Sequence, residues 1–400
     1  MRILFLSLVK VKSIDDRGIY TDLLRALIRN GHQVTAITPV ERRDTDPGGI
    51  TVFDSFRCIH VKTLNIQKTG FIEKGLGMLT IATQFKRAIK RYIPTEHFDL
   101  ILYSTPPITL YSVVVWLKNK MRCKTYLLLK DIFPQNAIDM KMMNENGFLH
   151  RYFMNIEKQL YLISDKIGCM SPANVEFLLN NNTYLDPSDV HVNPNSIEPV
   201  FNELDYDQKN RIRKKYGLPL NDRILVYGGN LGIPQGIDFL IDVLEQVNVE
   251  NTFYLIVGNG SEYYKLKSWF DKRKPMNALL LNYLPKRDYD TLLQSCDIGL
   301  IFLDKNFRIP NFPSRLLSYL EMGFPTVAAT DPNTDIGSII EQYNCGRSVL
   351  AGDTEAFEEA IRSIISSEEI YQKMSESTID LLVKEYTADK SALIIEQQFS

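Results

Sequence analysis

The chain has 400 residues, too many for one hydrophobic core and enough for two to three domains at roughly 150 residues each. Apolar residues make up 44% and charged residues 24%, which excludes a mostly disordered chain, a collagen and a multi-span membrane protein. Basic residues number 46 against 48 acidic ones, so the basic excess of a nucleic-acid binder is missing.

The charge is uneven along the chain. Residues 1–200 hold 25 Lys and Arg against 19 Asp and Glu, or +6; residues 201–400 hold 21 against 29, or −8. Either two surfaces drift in composition, or the first half faces something anionic such as a membrane. The five cysteines (58, 123, 169, 296 and 345) are too widely spaced for a zinc knuckle or a redox pair and suit a reducing cytoplasm. The opening MRILFLSLVKVKS lacks a small-residue cleavage site, so no signal peptide is expected. No uncharged apolar run reaches the roughly 18 residues of a spanning helix. Any membrane contact is therefore expected to be peripheral.

In chain order, the apolar block 2–9 reads as a buried parallel strand. A polar loop follows, then Ile19, Leu23, Leu24, Leu27 and Ile28 repeat at helical spacing up to the stop at Asn30-Gly31. Residues 33–38 form the next strand, and the pattern recurs at 99–104, 124–129 and 166–170. Strands alternating with helices predict a parallel sheet covered on both faces. Around 195–220 the texture turns polar and charged, and a second series begins. Its strands are expected at 223–227, 253–257, 278–282, 298–303 and 326–329, with helices at 236–247, 288–295, 313–322, 335–342 and 353–366. The chain thus reads as two doubly wound α/β domains, whose ligands belong at the carboxyl ends of the strands.

Three strand-end motifs carry the chemistry. In Val226-Tyr227-Gly228-Gly229-Asn230-Leu231-Gly232-Ile233-Pro234-Gln235-Gly236, four glycines fall in nine positions between a strand and a helix. Such a loop brings backbone N–H groups to a phosphate, and it equally serves a tight strand–helix turn. Val257-Gly258-Asn259-Gly260 repeats the pattern after the next strand. In Asn311-Phe312-Pro313-Ser314-Arg315, Pro313 suits a first helical turn, and Arg315 then opposes the helix dipole. A bound diphosphate would explain that cation, since Arg grips phosphate as a fork; a solvated surface Arg is the alternative.

These motifs, in this order, resemble the donor half of the retaining family 4 glycosyltransferases of GT-B fold. Asn30-Gly31-His32-Gln33-Val34 resembles the family's Gly-His-x-Val after the first helix. Pro194-Asn195-Ser196-Ile197-Glu198 resembles its Pro-Asn-Gly-Val-Asp signature at the interdomain linker, and Ser164-Asp165-Lys166-Ile167 its strand before the crossover. The Pro-Ser-Arg at 313–315 is similar to the Pro-Ser-Lys of the bacterial surface-polysaccharide branch (O-antigen and capsule), which includes the fucosamine transferases. The resemblance implies two Rossmann-like domains facing each other across a cleft. An acceptor domain spans 1–197 and a nucleotide-sugar domain 198–384, with a helix at about 385–400 packing back onto the first.

The family's usual Arg and Lys of the glycine loop fall on Asn230 and Gln235, and its two glutamates fall on Pro310 and Ser318. Glu321, one turn beyond Ser318, reads as a solvated carboxylate. The resemblance then implies a donor site of Gly229, Asn230, Leu231, Gly232, Gln235, Gly258, Asn259, Gly260, Pro313, Ser314, Arg315 and Ser318. Arg315 takes over the role of the missing basic residues.

On the acceptor side, Lys130-Asp131-Ile132-Phe133-Pro134 resembles the Asp-Leu-Trp-Pro-Glu segment of the same branch. Asp131 is expected to orient or deprotonate an acceptor hydroxyl, unless it only caps a turn. Ser104, Lys130, Asp16 and Arg17 are expected to line that side. The five histidines show no metal-ligand spacing, so no metal and no other cofactor is expected, and the leaving diphosphate relies on protein donors.

At 71–92, Phe71, Ile72, Leu76, Met78, Leu79 and Ile81 precede Lys86-Arg87-Ala88-Ile89-Lys90-Arg91, which reads as a helix lying on anionic lipid or as a core helix with a charged face. Lys118, Lys120, Arg122 and Lys124 add to the basic surface.

The expected activity is metal-independent transfer, with retained configuration, of a sugar from a nucleotide diphosphate sugar, a UDP-N-acetylamino sugar by preference. The acceptor is a lipid-linked (polyprenyl diphosphate) saccharide, used by a cytoplasmic enzyme peripheral at the inner face of the cell membrane. A GT-B UDP-sugar epimerase and a non-catalytic sugar-nucleotide-binding subunit are the alternatives; no nucleic acid is expected.

Overall fold

The computed structural model describes residues 1–66, 71–140, 143–145, 147–202 and 204–399. Its contacts divide the chain into two compact units, Met1–Glu198 with Ala388–Ser400, and Pro199–Thr387.

In the first unit the strands are β1 Arg2–Leu6, β2 Gln33–Glu41, β3 Gly49–Phe53, β4 Phe56–Thr63, β5 Leu100–Ser104, β6 Lys124–Leu129, β7 Lys166–Cys169 and β8 Val190–Val192. The helices are α1 Ile19–Arg29, α2 Phe71–Tyr92, α3 Tyr111–Met121, α4 Gln135–Asp139, α5 Phe148–Ile163 and α6 Pro172–Asn181. The sheet order is β3-β4-β2-β1-β5-β6-β7-β8, parallel except for the β3–β4 hairpin. Ile3, Leu4, Phe5 and Leu6 of β1 are wholly buried, as a strand covered on both faces requires.

In the second unit come α7 Tyr206–Tyr216, β9 Arg223–Asn230, α8 Ile237–Gln246, β10 Thr252–Asn259, α9 Tyr263–Arg273, β11 Ala278–Leu281, α10 Lys286–Leu293 and β12 Ile298–Phe302. They are followed by α11 Arg315–Glu321, β13 Thr326–Thr330, α12 Ile336–Gln342, β14 Gly346–Leu350, α13 Thr354–Ile365 and α14 Glu368–Glu385. The sheet order β11-β10-β9-β12-β13-β14 is fully parallel. A stacked pair, Phe302 and Phe357 with ring centroids 5.3 Å apart, joins the sheet to α13 at the centre of the core.

The last helix, α15 Ala388–Gln397, belongs to the first unit. Ala388, Ala392 and Ile395 enter the core cluster of β1 and α1, and Arg29 binds Asp389 at 2.7 Å. The two chain segments that leave this unit are pinned together: the Ala388 N–H donates to the Ile197 carbonyl at 2.9 Å. Glu198 is gripped there by Arg25 and Arg29.

The structure adds elements that the periodicity reading did not place, among them the β3–β4 hairpin, α7, α9, β14 and α14, and it shortens one that was placed. The β3–β4 hairpin has a largely exposed first strand with no apolar run. The charged stretch after residue 202 contains α7, begun by an Asp205–Gln208 capping box. Its single buried cation, Arg213, is bound by Asp297 at 2.6 Å. The predicted helix 313–322 is shorter, with Ser314 at the N-cap and Arg315 as the first helical residue. Pro313 sits just outside, though its carbonyl still accepts from the Leu316 N–H at 3.2 Å.

Candidate active site

In the second sheet the strand order reverses at β9. β10 pairs with β9 as far as Asn230, whereas β12 pairs only with Leu225 and Val226. The end of β9 therefore opens a crevice on its β12 side, the place where doubly wound sheets hold ligands. Tyr319 of α11 bridges it. Its hydroxyl donates toward the Val226 carbonyl (3.0 Å) and the Leu300 carbonyl (3.2 Å), and accepts from the Gly228 N–H at 3.2 Å.

Arg315, one turn before Tyr319, lies in this crevice. Its Nη2 donates to the Gln235 Oε1 at 2.5 Å, and its guanidinium carbon stands 4.2 Å from the centre of the Tyr227 ring. The side chain is half-buried, and Nη1 is a buried atom without a hydrogen-bond partner. Among the described residues no carboxylate pairs with Arg315. A partly buried cation whose Nη1 lacks a partner is costly, and an anion bound there offsets that cost.

The glycines divide by cause. A Cβ on Gly258 would meet the Gly229 carbonyl oxygen at 1.9 Å, one on Gly260 the Leu231 carbonyl oxygen at 2.3 Å, and one on Gly232 the Asn230 side chain at 2.7 Å. These three make room for the chain itself. Gly229 differs. It is exposed, has φ +127°, and the nearest atom to its built Cβ is Nη2 of Arg315 at 3.7 Å. It is the loop glycine that faces the guanidinium.

The other predicted donor residues take several places. Asn230 and Asn259 are exposed at paired strand ends, with the Asn259 Nδ2 donating to Asn282 at 2.9 Å. Leu231 is buried, and its N–H donates to the Asn259 carbonyl at 3.0 Å. Gln235 is buried as the acceptor that aims Arg315. Ser314 is exposed and Ser318 half-buried. Glu321 is not solvated: it is buried, and the Val200 N–H donates to it at 2.7 Å, so it anchors the start of the second unit.

In the first unit, Lys130 and Asp131 follow β6. The Thr105 hydroxyl accepts from the Lys130 N–H at 3.2 Å and donates to the Asp131 carbonyl at 3.1 Å. Burial pushes the Asp131 carboxyl up to about 6, against the Asn136 amide that donates to it at 2.6 Å. Burial also pulls the Lys130 ammonium down to about 7; it donates to the Asn193 carbonyl at 3.1 Å. Ser104 is buried against Tyr20. Asp16 is exposed and accepts from the Ser13 N–H, while Arg17 donates to the Glu198 carbonyl at 3.3 Å. Lys130 and Asp131 thus form one group with Thr105 and Asn136, and Arg17 belongs to the crossover. Among the described residues no cluster of three or more His, Cys, Asp or Glu could hold a metal ion.

The comparisons with known proteins agree in kind. The family described as Glycosyltransferase Family 4 matches residues 19–201, and that described as Glycosyl transferases group 1 matches residues 208–380. WbjE of Pseudomonas aeruginosa, named as a glycosyltransferase, is 20% identical over 344 residues, covering 83% of this chain and 81% of WbjE. WcaI of Escherichia coli K12, named for colanic acid biosynthesis, is 27% identical over 135 residues, 33% of this chain and 32% of WcaI. The structure of Anabaena HepE in complex with UDP shares the fold, with a TM-score of 0.69 at 13% identity over 99% of each chain. The chain is a glycosyltransferase of GT-B type.

Among its relatives are enzymes of polysaccharide biosynthesis. Two residues of the transferase that sequence reasoning passed over stand beside Arg315. Tyr227 reads as a strand-core aromatic, and Tyr289 lies in a short helix among Lys286, Arg287, Asp288 and Asp290, which read as an ordinary charged surface. Only the fold brings either one to the crevice.

Proposed function

We propose that this transferase moves a sugar, a UDP-linked N-acetylamino sugar by preference, onto a lipid-linked saccharide in bacterial surface-polysaccharide synthesis, with retention and without a metal. The observation that carries the donor half is Arg315, a half-buried cation with no carboxylate partner, set against Gly229 at the end of β9. Arg315 would hold the diphosphate and stabilise the charge it gains as the sugar departs. Gln235 and Tyr319 would keep that guanidinium and its helix in place. The UDP of HepE and the polysaccharide role in the name of WcaI favour the same reading.

On the acceptor side, Asp131 would orient the attacking hydroxyl. Among the described residues no helix is long and apolar enough to cross a membrane. The exposed Arg87, Lys90 and Arg91 of α2 would hold the protein at an anionic inner face. The test is calorimetric titration with UDP. Arg315→Ala is expected to weaken binding by about 1.5–3 kcal/mol, the range for a hydrogen bond to a charged group. Equal affinity in the variant and the wild type would move the diphosphate elsewhere.

A further inference from the structure

Tyr289 of α10 reaches across to the end of β9 and lies directly on Gly228. A Cβ on that glycine would fall 1.8 Å from the Tyr289 Oη and 2.5 Å from Cζ, so the absence of a side chain at 228 is what seats the phenol. Gly228 precedes the glycine that faces Arg315, and its N–H is already taken by Tyr319. Tyr227, Tyr289 and Tyr319 all interact electrostatically with Arg315.

The three hydroxyls differ in how they are used. That of Tyr227 donates to the Asn230 carbonyl at 2.7 Å, and that of Tyr319 is engaged with β9 and β12. The Tyr289 hydroxyl makes no hydrogen bond among the described residues. Burial pushes its pKa well above the usual value, so at neutral pH it is a protonated donor. A hydroxyl pressed on bare backbone, without a protein partner and beside a cation that lacks a counter-ion, is available as a second donor to the same anion. We infer that Tyr289 is a positioning residue of the donor site, giving its hydroxyl hydrogen to a phosphate oxygen of the nucleoside diphosphate that Arg315 holds.

This rests on reading Arg315 as the diphosphate anchor. It also accounts for how a loop with Asn230 and Gln235 in place of cations can hold a diphosphate: one guanidinium and one phenol share the work, and neither needs a metal. A purely packing role makes a different prediction. The ring fills the space on Gly228 with or without its hydroxyl, and that hydroxyl has no protein partner to lose. Tyr289→Phe should then change nothing.

The experiment titrates wild type, Tyr289→Phe and Arg315→Ala with UDP and with uridine, and records the melting temperature of each. The expected result is a loss of about 10- to 100-fold in UDP affinity for Tyr289→Phe, the span of a hydrogen bond to a charged group. Its uridine affinity and melting temperature should match the wild type. UDP affinity within twofold of wild type in Tyr289→Phe, alongside a loss in Arg315→Ala, overturns the inference and leaves the anchor standing. An equal loss for UDP and uridine overturns it as well, because the hydroxyl then serves the nucleoside. Unchanged UDP binding in both variants overturns the anchor and the inference together.

Discussion

Asp131 shows how one side chain can be read for chemistry and for stability separately. Burial raises its carboxyl from 3.8 to about 6. If the ionised form orients or deprotonates the acceptor, turnover falls as pH drops through about 6. Stability moves the other way. A carboxyl whose pKa rises on folding binds its proton more tightly in the folded state, so stability increases as pH falls from about 6 toward 3.8. Asp131→Asn is expected to cut turnover by about 10²-fold or more, remove that acid limb of the rate profile, and leave UDP affinity unchanged. Wild-type turnover in the variant would take Asp131 out of the site. Arg315 makes the complementary case on the donor side, where a fork is required: Arg315→Lys would restore charge but not the paired N–H geometry.

At the scale of elements, α7 is polar and charged in sequence, yet it is tied into the second sheet by a buried ion pair. Asp297 precedes β12, and its Oδ2 accepts from Arg213 at 2.6 Å and from the Ile224 N–H at 2.7 Å; its Oδ1 accepts from Lys209 at 2.7 Å. Arg213 also donates to the carbonyls of Ser295, Leu220 and Asp222. Each nitrogen of that guanidinium donates to an acceptor, so the pair is hydrogen-bonded rather than merely close. Removing one member leaves the other charge buried. Asp297→Ala is expected to cost about 3–5 kcal/mol in urea unfolding. Loss of under about 1 kcal/mol would mean that the pair is solvated in practice, like an exposed bridge. Asp297 also joins β9 and β12 at their starting ends, through its bond from the Ile224 N–H.

For the whole molecule, the question is what the positive first half of the chain meets. In α2, Ile81, Phe85 and Ile89 are wholly buried, so part of the apolar pattern is core packing. Leu76 and Leu79 remain exposed, as do Arg87, Lys90 and Arg91, while Lys86 is half-buried. The side chains of Phe71 and Ile72, named for the same stretch, lie outside the described residues. Trp116 of α3 stands between Lys90 and Lys120, whose amines are 5.7 and 5.6 Å from its ring. Lys118 contributes no free charge, since Asp165 pairs with it at 2.9 Å. Phe148, Leu149 and Tyr152 of α5 are exposed in the same unit. A basic charge near an anionic surface is worth roughly 1 kcal/mol. Reversing Lys86, Arg87, Lys90 and Arg91 together is therefore expected to release the protein from anionic liposomes at low salt. Unchanged co-sedimentation would assign these residues to solvent.

By itself, the sequence determined the alternation of strand and helix, the doubly wound class and the strand-end loops, because each rests on local periodicity and turn chemistry. Arg2–Leu6, Lys124–Leu129 and Ile298–Phe302 are legible as strands from their apolar runs alone. Gly229 and Arg315 are legible as candidates because a glycine-rich strand–helix loop suits a phosphate and a cation in a first helical turn opposes the helix dipole. What the glycines are for was decided by tertiary structure. Gly258, Gly260 and Gly232 admit neighbouring backbone or side chain, Gly228 admits a phenol, and only Gly229 looks toward the cation. No local pattern distinguishes these causes, since each depends on which atom arrives from a distant element. The same holds for Gln235, which supports Arg315 from 80 positions away, for the buried Glu321, which accepts from Val200 across 121 positions, and for Tyr289. A helical tyrosine carries no sequence mark of its role until the fold lays it on Gly228 at the end of β9.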